Sequence, residues 1–542
     1  MKDIFNPKFF DLFKKGYNKD QFTKDLFSGI IVGIVALPLA IAFAVASGVS
    51  PEKGLITAVI AGFLISFIGG SDVQIGGPTG AFIVIVLAII TQYGVEGLII
   101  STFLAGIMLI IFGLLKLGNL LKFIPYPLIV GFTSGIAVVI FSTQIENALG
   151  LEIAEIPSDF IPKWGAYFAN LGTVNIYAVI IMITTILITL FFGKITNKIP
   201  GSFVAIITIT GLVSIFSIPV NTIETIYGDI PNTISVEMPS IDLSKIKYYF
   251  EPALTIALLC AIESLLSAVV ADGMTGKTHR SNTELIAQGI ANIFSSIFGG
   301  IPATGAIART ATNIKNGGRT PVAGIIHAIT LLLIMLIFGK WAKLIPMSCL
   351  AGILIVIAYN MSGWRSFVSI LKSCPFDIII LLSTFLLTVL VDLTIAIQIG
   401  IVLSALLFMK RMADNSQIIE LGDHPDESDL TDEIPDNVNI YEISGPFFFG
   451  AAKKYSEVLK RLAKSRQILI IRMRYVPFID ATGIHNFKDA VSILRKDNKR
   501  IILSGVKENV RKELDKSGIT KLIGENNIFS KFDDALEAAN SI

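Results

Sequence analysis

Long apolar stretches alternate with short polar ones over the first 411 residues of the chain. A helix that crosses a bilayer needs about 20 mainly apolar residues. Stretches of that kind run at 27–47, 54–69, 96–116, 127–144, 175–193, 201–218, 251–271, 284–299, 322–339, 346–361, 376–394 and 395–411. Two shorter apolar pieces, 79–93 and 304–316, each follow a glycine-rich break. Read as half-spans, they bring the expected passes to fourteen, seven in each half of a polytopic α-helical membrane protein. The boundary inside 376–411 is the least marked, because the apolar run there is nearly continuous.

The breaks repeat. Thr79-Gly80-Ala81 and Thr304-Gly305-Ala306 lie 225 positions apart, and Ser47-Gly48 and Asp272-Gly273 keep the same offset. The membrane part therefore reads as two related halves, repeat 1 at about 27–218 and repeat 2 at about 251–411. An odd number of passes per half makes the repeats inverted relative to each other. Broken helices at matching places in two halves are the best sequence pointer to a transporter's substrate site.

After residue 411 the pattern changes. A polar linker, 412–436, carries Asp423, Asp426, Glu427, Asp429, Asp432 and Glu433. In residues 437–542, strand-like runs at Ile440–Ile443, Ile468–Met473 and Arg500–Leu503 alternate with helical patterns at 450–463, 481–495, 507–517 and 530–540. That alternation predicts a small cytoplasmic α/β domain.

Composition agrees with this division. Of 542 residues, 53% are hydrophobic and 16% charged, and the mean hydropathy is +0.71. Such a chain must face lipid with much of its surface. The net charge of +2 and the lack of a basic tract give no sign of nucleic acid. Cys260, Cys349 and Cys374 lie in or beside apolar segments and suggest neither a disulfide framework nor a metal site. Residues 1–26 read as a cytoplasmic segment and not as a cleavable signal peptide. Phe5, Phe9, Phe10, Leu12 and Phe13 in it make either an amphipathic surface helix or an ordinary tail.

Positive charge in short loops orients the spans. With Lys14, Lys15, Lys19 and Lys24 inside, the loops of Lys116 and Lys122, Lys194 and Lys198, Lys277 and Arg280, Arg365 and Lys372, and Lys410 and Arg411 are also inside. The loops near 145–170 and 219–247 are then outside. They carry mainly acids: Glu146, Glu152, Glu155, Asp159, Glu224, Asp229 and Glu237. Lys340 and Lys343 depart from this rule. Both termini fall in the cytoplasm, and the protein is expected in the cytoplasmic (inner) membrane.

The chemistry concentrates at the breaks. Gly69–Phe82 reads GGSDVQIGGPTGAF, in which Val73–Ile75 suits a short extended piece and Pro78 a first helical turn. Gly299–Thr310 reads GGIPATGAIART, with Thr304 suited to cap a helix. A helix starting at membrane depth aims free N–H groups and a positive dipole end into the cavity. Two such ends face to face make an anion site, and small side chains let the ligand reach backbone. The bland alternative is helix-packing glycine. Arg309 lies one turn into the second half-helix, where it either attracts the anion or sits at the cytoplasmic interface with Lys315 and Arg319. Glu263, in CAIESLL, is an acid within an apolar span. It is a candidate proton carrier, or a sodium ligand with hydroxyls such as Thr304 and Ser267. The alternative is a structural hydrogen bond. By the 225 offset its counterpart is Pro38. In the soluble part, Asp480 suits a helix cap, and Thr482 is a candidate phosphorylation site near the helix start.

These residues resemble the SulP family of anion transporters, bacterial relatives of the SLC26 exchangers. The matching stretches are Ala36–Gly48, Gly76–Phe82, Asp272-Gly273, Ser281-Asn282, Gln288-Gly289, Asn292 and Gly299–Thr320, with a STAS domain over the last hundred residues. The resemblance implies a seven-plus-seven inverted repeat with core and gate domains, substrate held between the third and tenth helices, elevator movement and a homodimer. It places Thr79, Ala306, Ala308, Arg309, Phe43 and Leu39 at the anion site and Glu263 at the coupling site, and the two breaks themselves add Gly80, Ala81, Thr304 and Gly305 to the anion site. Many animal members have glutamine at the position of Leu39. The family's STAS loop matches Asp480–Gly483, with Thr482 at its hydroxyl position.

The expected activity is cation-coupled uptake of a small anion: sulfate, bicarbonate or a C4-dicarboxylate, with a proton or sodium as coupling ion and no other cofactor. Two other readings are an uncoupled anion exchanger or channel, and a membrane-tethered sensor or scaffold that works through a cytosolic partner of the STAS domain. No nucleophile–base set, metal cluster or phosphate loop suggests an enzyme.

Overall fold

The computed structural model describes residues 5–12, 16–119, 125–154, 156–157, 159–195, 200–228, 246–391, 393–421, 435, 437–461 and 467–541. Phe13, Lys14, Lys15, Lys122, Glu155, Lys198, Asp229, Glu237, the linker acids from Asp423 to Glu433 and the Lys340 side chain lie outside them. The chain forms two compact units, residues 1–401 and 402–542.

The first unit is helical. Its elements are α1 (Lys19–Ala46), α2 (Pro51–Ile68), β1 (Gly76–Gly77), α3 (Phe82–Leu114), α4 (Tyr126–Leu149), α5 (Phe160–Ala169), α6 (Ile176–Phe191), α7 (Gly201–Phe216) and α8 (Ile223–Tyr227). They continue with α9 (Ile246–Thr275), α10 (Ser281–Ile297), β2 (Thr304–Gly305), α11 (Ile307–Lys315), α12 (Pro321–Ala342), α13 (Met347–Met361), α14 (Trp364–Ile370), α15 (Pro375–Leu390) and α16 (Leu393–Asp414), which runs past the boundary. A helix covers every apolar stretch read from the sequence. Among the described residues, eight helices are long and apolar enough to cross a membrane. The apolar run at 376–411 breaks between Leu390 and Leu393.

Local chemistry sets the ends. Asn18 caps α1 by accepting from the Gln21 amide at 2.8 Å. Proline opens α2, α12 and α15, where the missing N–H costs nothing. Gly94, at φ 69°, divides α3 into a short helix, 82–93, and a long one, 95–114. Helices α5, α8 and α14 are too short for a span-length reading and were not expected.

Packing repeats between the halves. α1 packs on α12 as α9 packs on α3, and α2 packs on α12 as α10 packs on α3. α4 packs on α15 as α13 packs on α6, and α4 and α13 pack on each other. Lys343, which departs from the charge rule, is ion-paired with Glu224 at 2.8 Å.

Among the described residues, the N-terminal segment is tied to the helical unit. Lys8–Phe10 forms a 3-10 turn, and Asp11 and Leu12 after it are helical. The Phe9 ring lies 4.9 Å from that of Phe67, Lys8 pairs with Asp72 at 3.3 Å, and Arg280 pairs with Asp11 at 2.9 Å.

In the second unit a five-stranded sheet has the order β3 (Gln417–Leu421), β4 (Val438–Ser444), β5 (Ile468–Tyr475), β6 (Arg500–Ser504), β7 (Ile528–Phe529). β3 is antiparallel to β4, and the remaining neighbours are parallel. α17 (Phe449–Arg461), α18 (Ala481–Lys496), α19 (Glu508–Lys516), α20 (Ile519–Ile523) and α21 (Phe532–Asn540) complete it. Residues 417–421, read as linker, are an edge strand of this sheet. Apolar side chains of β4, β5 and β6 fill cores on both faces.

Candidate functional site

β1 and β2 meet antiparallel, Gly76 opposite Gly305 and Gly77 opposite Thr304. The Ala306 amide continues the ladder to the Ile75 carbonyl at 2.9 Å. A Cβ on Gly305 would collide with the Gln74 side-chain amide, which would have to leave its place. Extended backbone thus occupies Gly76–Gly77, one residue beyond the piece expected at Val73–Ile75.

This pairing corrects the repeat. Exchanging the strands carries Gly76 onto Thr304 and Gly77 onto Gly305, an offset of 228. Gly48 and Gly276, both left-handed at φ +79° and +69°, are also 228 apart, and Gly273 lies inside α9. The helix starts Phe82 and Ile307 are 225 apart. Repeat 1 therefore holds three more residues between strand and helix. The two Thr-Gly-Ala copies are not equivalent: Thr304-Gly305 is the strand, while Thr79-Gly80-Ala81 is the turn entering α3. Pro78 lies ahead of that turn and not in a helix. Thr304 caps nothing; its hydroxyl donates to the Cys260 carbonyl at 3.0 Å. The pairing of Glu263 with Pro38 falls with the offset that produced it.

The extra residues, Pro78-Thr79-Gly80, receive the charged groups. The Thr79 hydroxyl donates to Glu263 Oε2 at 2.9 Å. Arg309 Nη2 donates to the Pro78 carbonyl, and Nη1 to the Gly76 carbonyl at 3.5 Å. Arg309 is 3% exposed, so it is not an interfacial arginine. Glu263 on α9 is half-buried and interacts electrostatically with Arg309. Ser267, one turn along α9, is buried and donates to Thr310 at 3.3 Å. Thr79, and neither Thr304 nor Ser267, supplies the hydroxyl bonded to Glu263.

Around this centre, Ile307 and Ala308 are exposed at the start of α11. Among the described residues no acceptor engages the amides of Ile307, Ala308 and Arg309, as expected of a first helical turn. Ala81 and Ala306 are buried at the helix starts. The Phe43 ring edge and Met361 stand against Gly80, 3.4 and 3.1 Å from where a Cβ would lie. Leu39 packs against the buried cluster of Ile181, Ile209, Val213, Cys349 and Ile353 from α6, α7 and α13.

Sequence reasoning missed the frame that holds the breaks. Glu284 on α10 accepts from the Gly70 amide at 2.8 Å and from Gln288. Asn292 joins Ala303 through both backbone groups, at 2.8 and 2.9 Å. Asn313 donates to the Val73 carbonyl, Thr310 accepts from the Ile75 amide, and Gln74 donates to the Ser264 carbonyl. The four-residue spacing of Glu284, Gln288 and Asn292 was the available signal: a polar stripe on one face of a helix. A second arrangement was also missed. His279 bridges Asp272 at 2.7 Å and Ser281 at 2.9 Å, a serine–histidine–carboxylate row. Ser281 is buried at the first residue of α10, so the row has no space for a substrate at its hydroxyl.

In the second unit, Asp480 accepts from the Gly483 amide at 2.7 Å and the Phe449 amide at 3.0 Å, capping α18 and meeting the start of α17. Thr482 is exposed on the first turn of α18.

Residues 22–384 match the model of the sulfate permease family, and residues 429–535 match the STAS domain. The putative sulfate transporter YvdB of Bacillus subtilis is 43% identical over 96% of this chain and 98% of its own length. A bicarbonate transporter, BicA, of Picosynechococcus is 30% identical over 95% of this chain and 94% of its own. The murine Slc26a9 anion transporter in its inward-facing state has the same fold, with a TM-score of 0.89 at 18% identity over 99% of this chain and 94% of that one.

Proposed function

Because this chain belongs to the sulfate permease family and carries a STAS domain, we propose that it moves a small oxyanion across the cytoplasmic membrane as a secondary active transporter. Sulfate and bicarbonate are the first candidates, after the names of its relatives, and C4-dicarboxylates come next. The observation that carries this reading is Arg309, buried in the first turn of α11, whose first three amides meet no acceptor among the described residues, with the small side chains of the turn into α3 beside it. A guanidinium has five donors. Two hold the Gly76 and Pro78 carbonyls, and among the described residues no hydrogen bond engages the others.

Glu263 supports coupling. A carboxylate several ångströms from a bound anion opposes it by on the order of 2 kcal/mol at an effective dielectric near 20. A proton or sodium ion on Glu263 removes that opposition, so cation and anion load together. The exchange of helix partners between halves supports a seven-plus-seven inverted repeat, with α1–α3 and α9–α12 as the moving core and α4–α7 and α13–α16 as the gate. Cytoplasmic termini, a homodimer and phosphorylation of Thr482 complete the proposal.

The test is uptake of labelled sulfate, bicarbonate and succinate into proteoliposomes under imposed proton or sodium gradients. Accumulation that follows one cation gradient is expected, with Glu263→Gln retaining anion flux but losing the gradient dependence. Full gradient dependence in Glu263→Gln sinks the coupling role, and no uptake of any anion sinks the transporter reading.

A further inference from the structure

A cavity of about 500 Å3 runs beside the first half of α3, from Val84 to Tyr93. Val84 is two residues, about 3 Å of helix rise, past the helix start that fronts the anion site. The cavity is walled by α4, α5, the beginning of α9 and the end of α15. Lys163 of α5 lines it. That lysine is 6% exposed, and among the described residues it has neither a hydrogen-bond acceptor nor an ion-pair partner. A buried charge without a partner is expensive, which makes it unusual for a lysine kept in a packed wall.

The cavity also meets Asp159, the residue that precedes α5, and Glu251 of α9. Both are exposed. Hydrated carboxylates at a rim are screened over roughly 8 Å at physiological salt, whereas a buried ammonium is screened much less. Close to Lys163 the buried ammonium is therefore the less screened charge, although the lining has more acids than bases. Thr91, Gln92 and Thr255 add polar groups along the walls. α5 has ten residues, too few to span, and lies in a loop read as external. Burial lowers the pKa of Lys163 from the ordinary lysine value, and Asp159 opposes that shift; an anion beside it would hold the charged form.

We propose that this cavity is an antechamber on the outer route to Arg309, where Lys163 holds a small oxyanion before it reaches the site between the half-helices. The inference rests on the transport reading above but is tested without transport. Thr91→Cys places a thiol in the cavity wall, in a Cys374→Ser background; Cys260 and Cys349 are buried. The full-length protein in liposomes is labelled with an anionic and a cationic methanethiosulfonate of similar size. The anionic reagent is expected to react faster, and sulfate or bicarbonate to slow it. Lys163→Met should lower the anionic-to-cationic rate ratio at least tenfold, and Lys163→Arg should restore it. A ratio unmoved by Lys163→Met, a preference for the cationic reagent with Lys163 in place, or no labelling of a protein that elutes as a single folded species overturns the antechamber. The expected ratios in a protein that takes up no anion would leave the station standing and remove the transport reading.

Discussion

Arg309 has two jobs that substitution can separate. It ties the Pro78 and Gly76 carbonyls of the extra turn, and it presents charge beside the free amides of α11. Lysine keeps the charge but cannot fork between two carbonyls. Arg309→Lys is therefore expected to raise the KM for anion uptake about tenfold, equivalent to about 1.4 kcal/mol, and Arg309→Met to abolish uptake; initial-rate uptake over a substrate series reads both. An unchanged KM in Arg309→Lys would mean the carbonyl ties do not shape the pocket. Arg309 and Glu263 were legible in the sequence because a charge in an apolar run stands out. Thr79 was legible only as a pocket residue. Its bond to Glu263 joins positions 184 apart in the chain, a partnership made by tertiary folding alone. The tripeptide match misled by three residues, since identical letters occupy a strand in one half and a turn in the other.

The same breaks, taken as elements, separate glycines that are needed from glycines that are tolerated. Gly305 faces the Gln74 side-chain amide, and a Cβ there displaces that amide from the Ser264 carbonyl beside the β1–β2 pair. Gly94 has a positive φ but open space around it. Alanine at Gly94, φ 69° and ψ −177°, meets only backbone strain, in a region glycine ordinarily occupies alone, about 1–3 kcal/mol. Gly305→Ala should abolish anion uptake and lower the detergent melting temperature, while Gly94→Ala retains uptake with a small thermal shift. Fluorescence-detected thermal unfolding together with uptake distinguishes them; equal behaviour of the two variants would mean the strand pair is not required. Helix positions were readable because twenty apolar residues have few other solutions in a bilayer. The short helices α5, α8 and α14 were not, because one to three turns leave too weak a periodicity. The polar frame of Glu284, Gln288 and Asn292 had the right spacing, but its partners are backbone groups of distant loops, which carry no letter in the sequence.

At the scale of the whole molecule, the exchanged helix partnerships and the separate cores imply different kinds of dependence. In residues 1–401 each half is packed against helices of the other, α1 and α2 on α12, α9 and α10 on α3. Neither half has a core of its own, so a chain cut between α8 and α9 should not yield a stable fragment. The second unit is built differently. Its buried clusters draw only on residues beyond 401 among the described residues, from Met412 and Ala413 through Ala539. A domain with its own core folds by itself. Residues 412–542 expressed alone are therefore expected to unfold cooperatively as a soluble protein, and Asp480→Ala to lower its melting temperature. Loss of one cap costs about 1 kcal/mol, or roughly 3–5 °C in a fragment of about 130 residues. Asp480 meets the amides of two helices, so the upper end of that range is expected. A fragment without a cooperative transition would show that the STAS sheet depends on the membrane unit. The edge strand β3 follows α16 after only two residues. That leaves the first strand tethered to the end of a helix that begins in the membrane unit, and a fragment starting at residue 422, without β3, should be measurably less stable than one starting at 412.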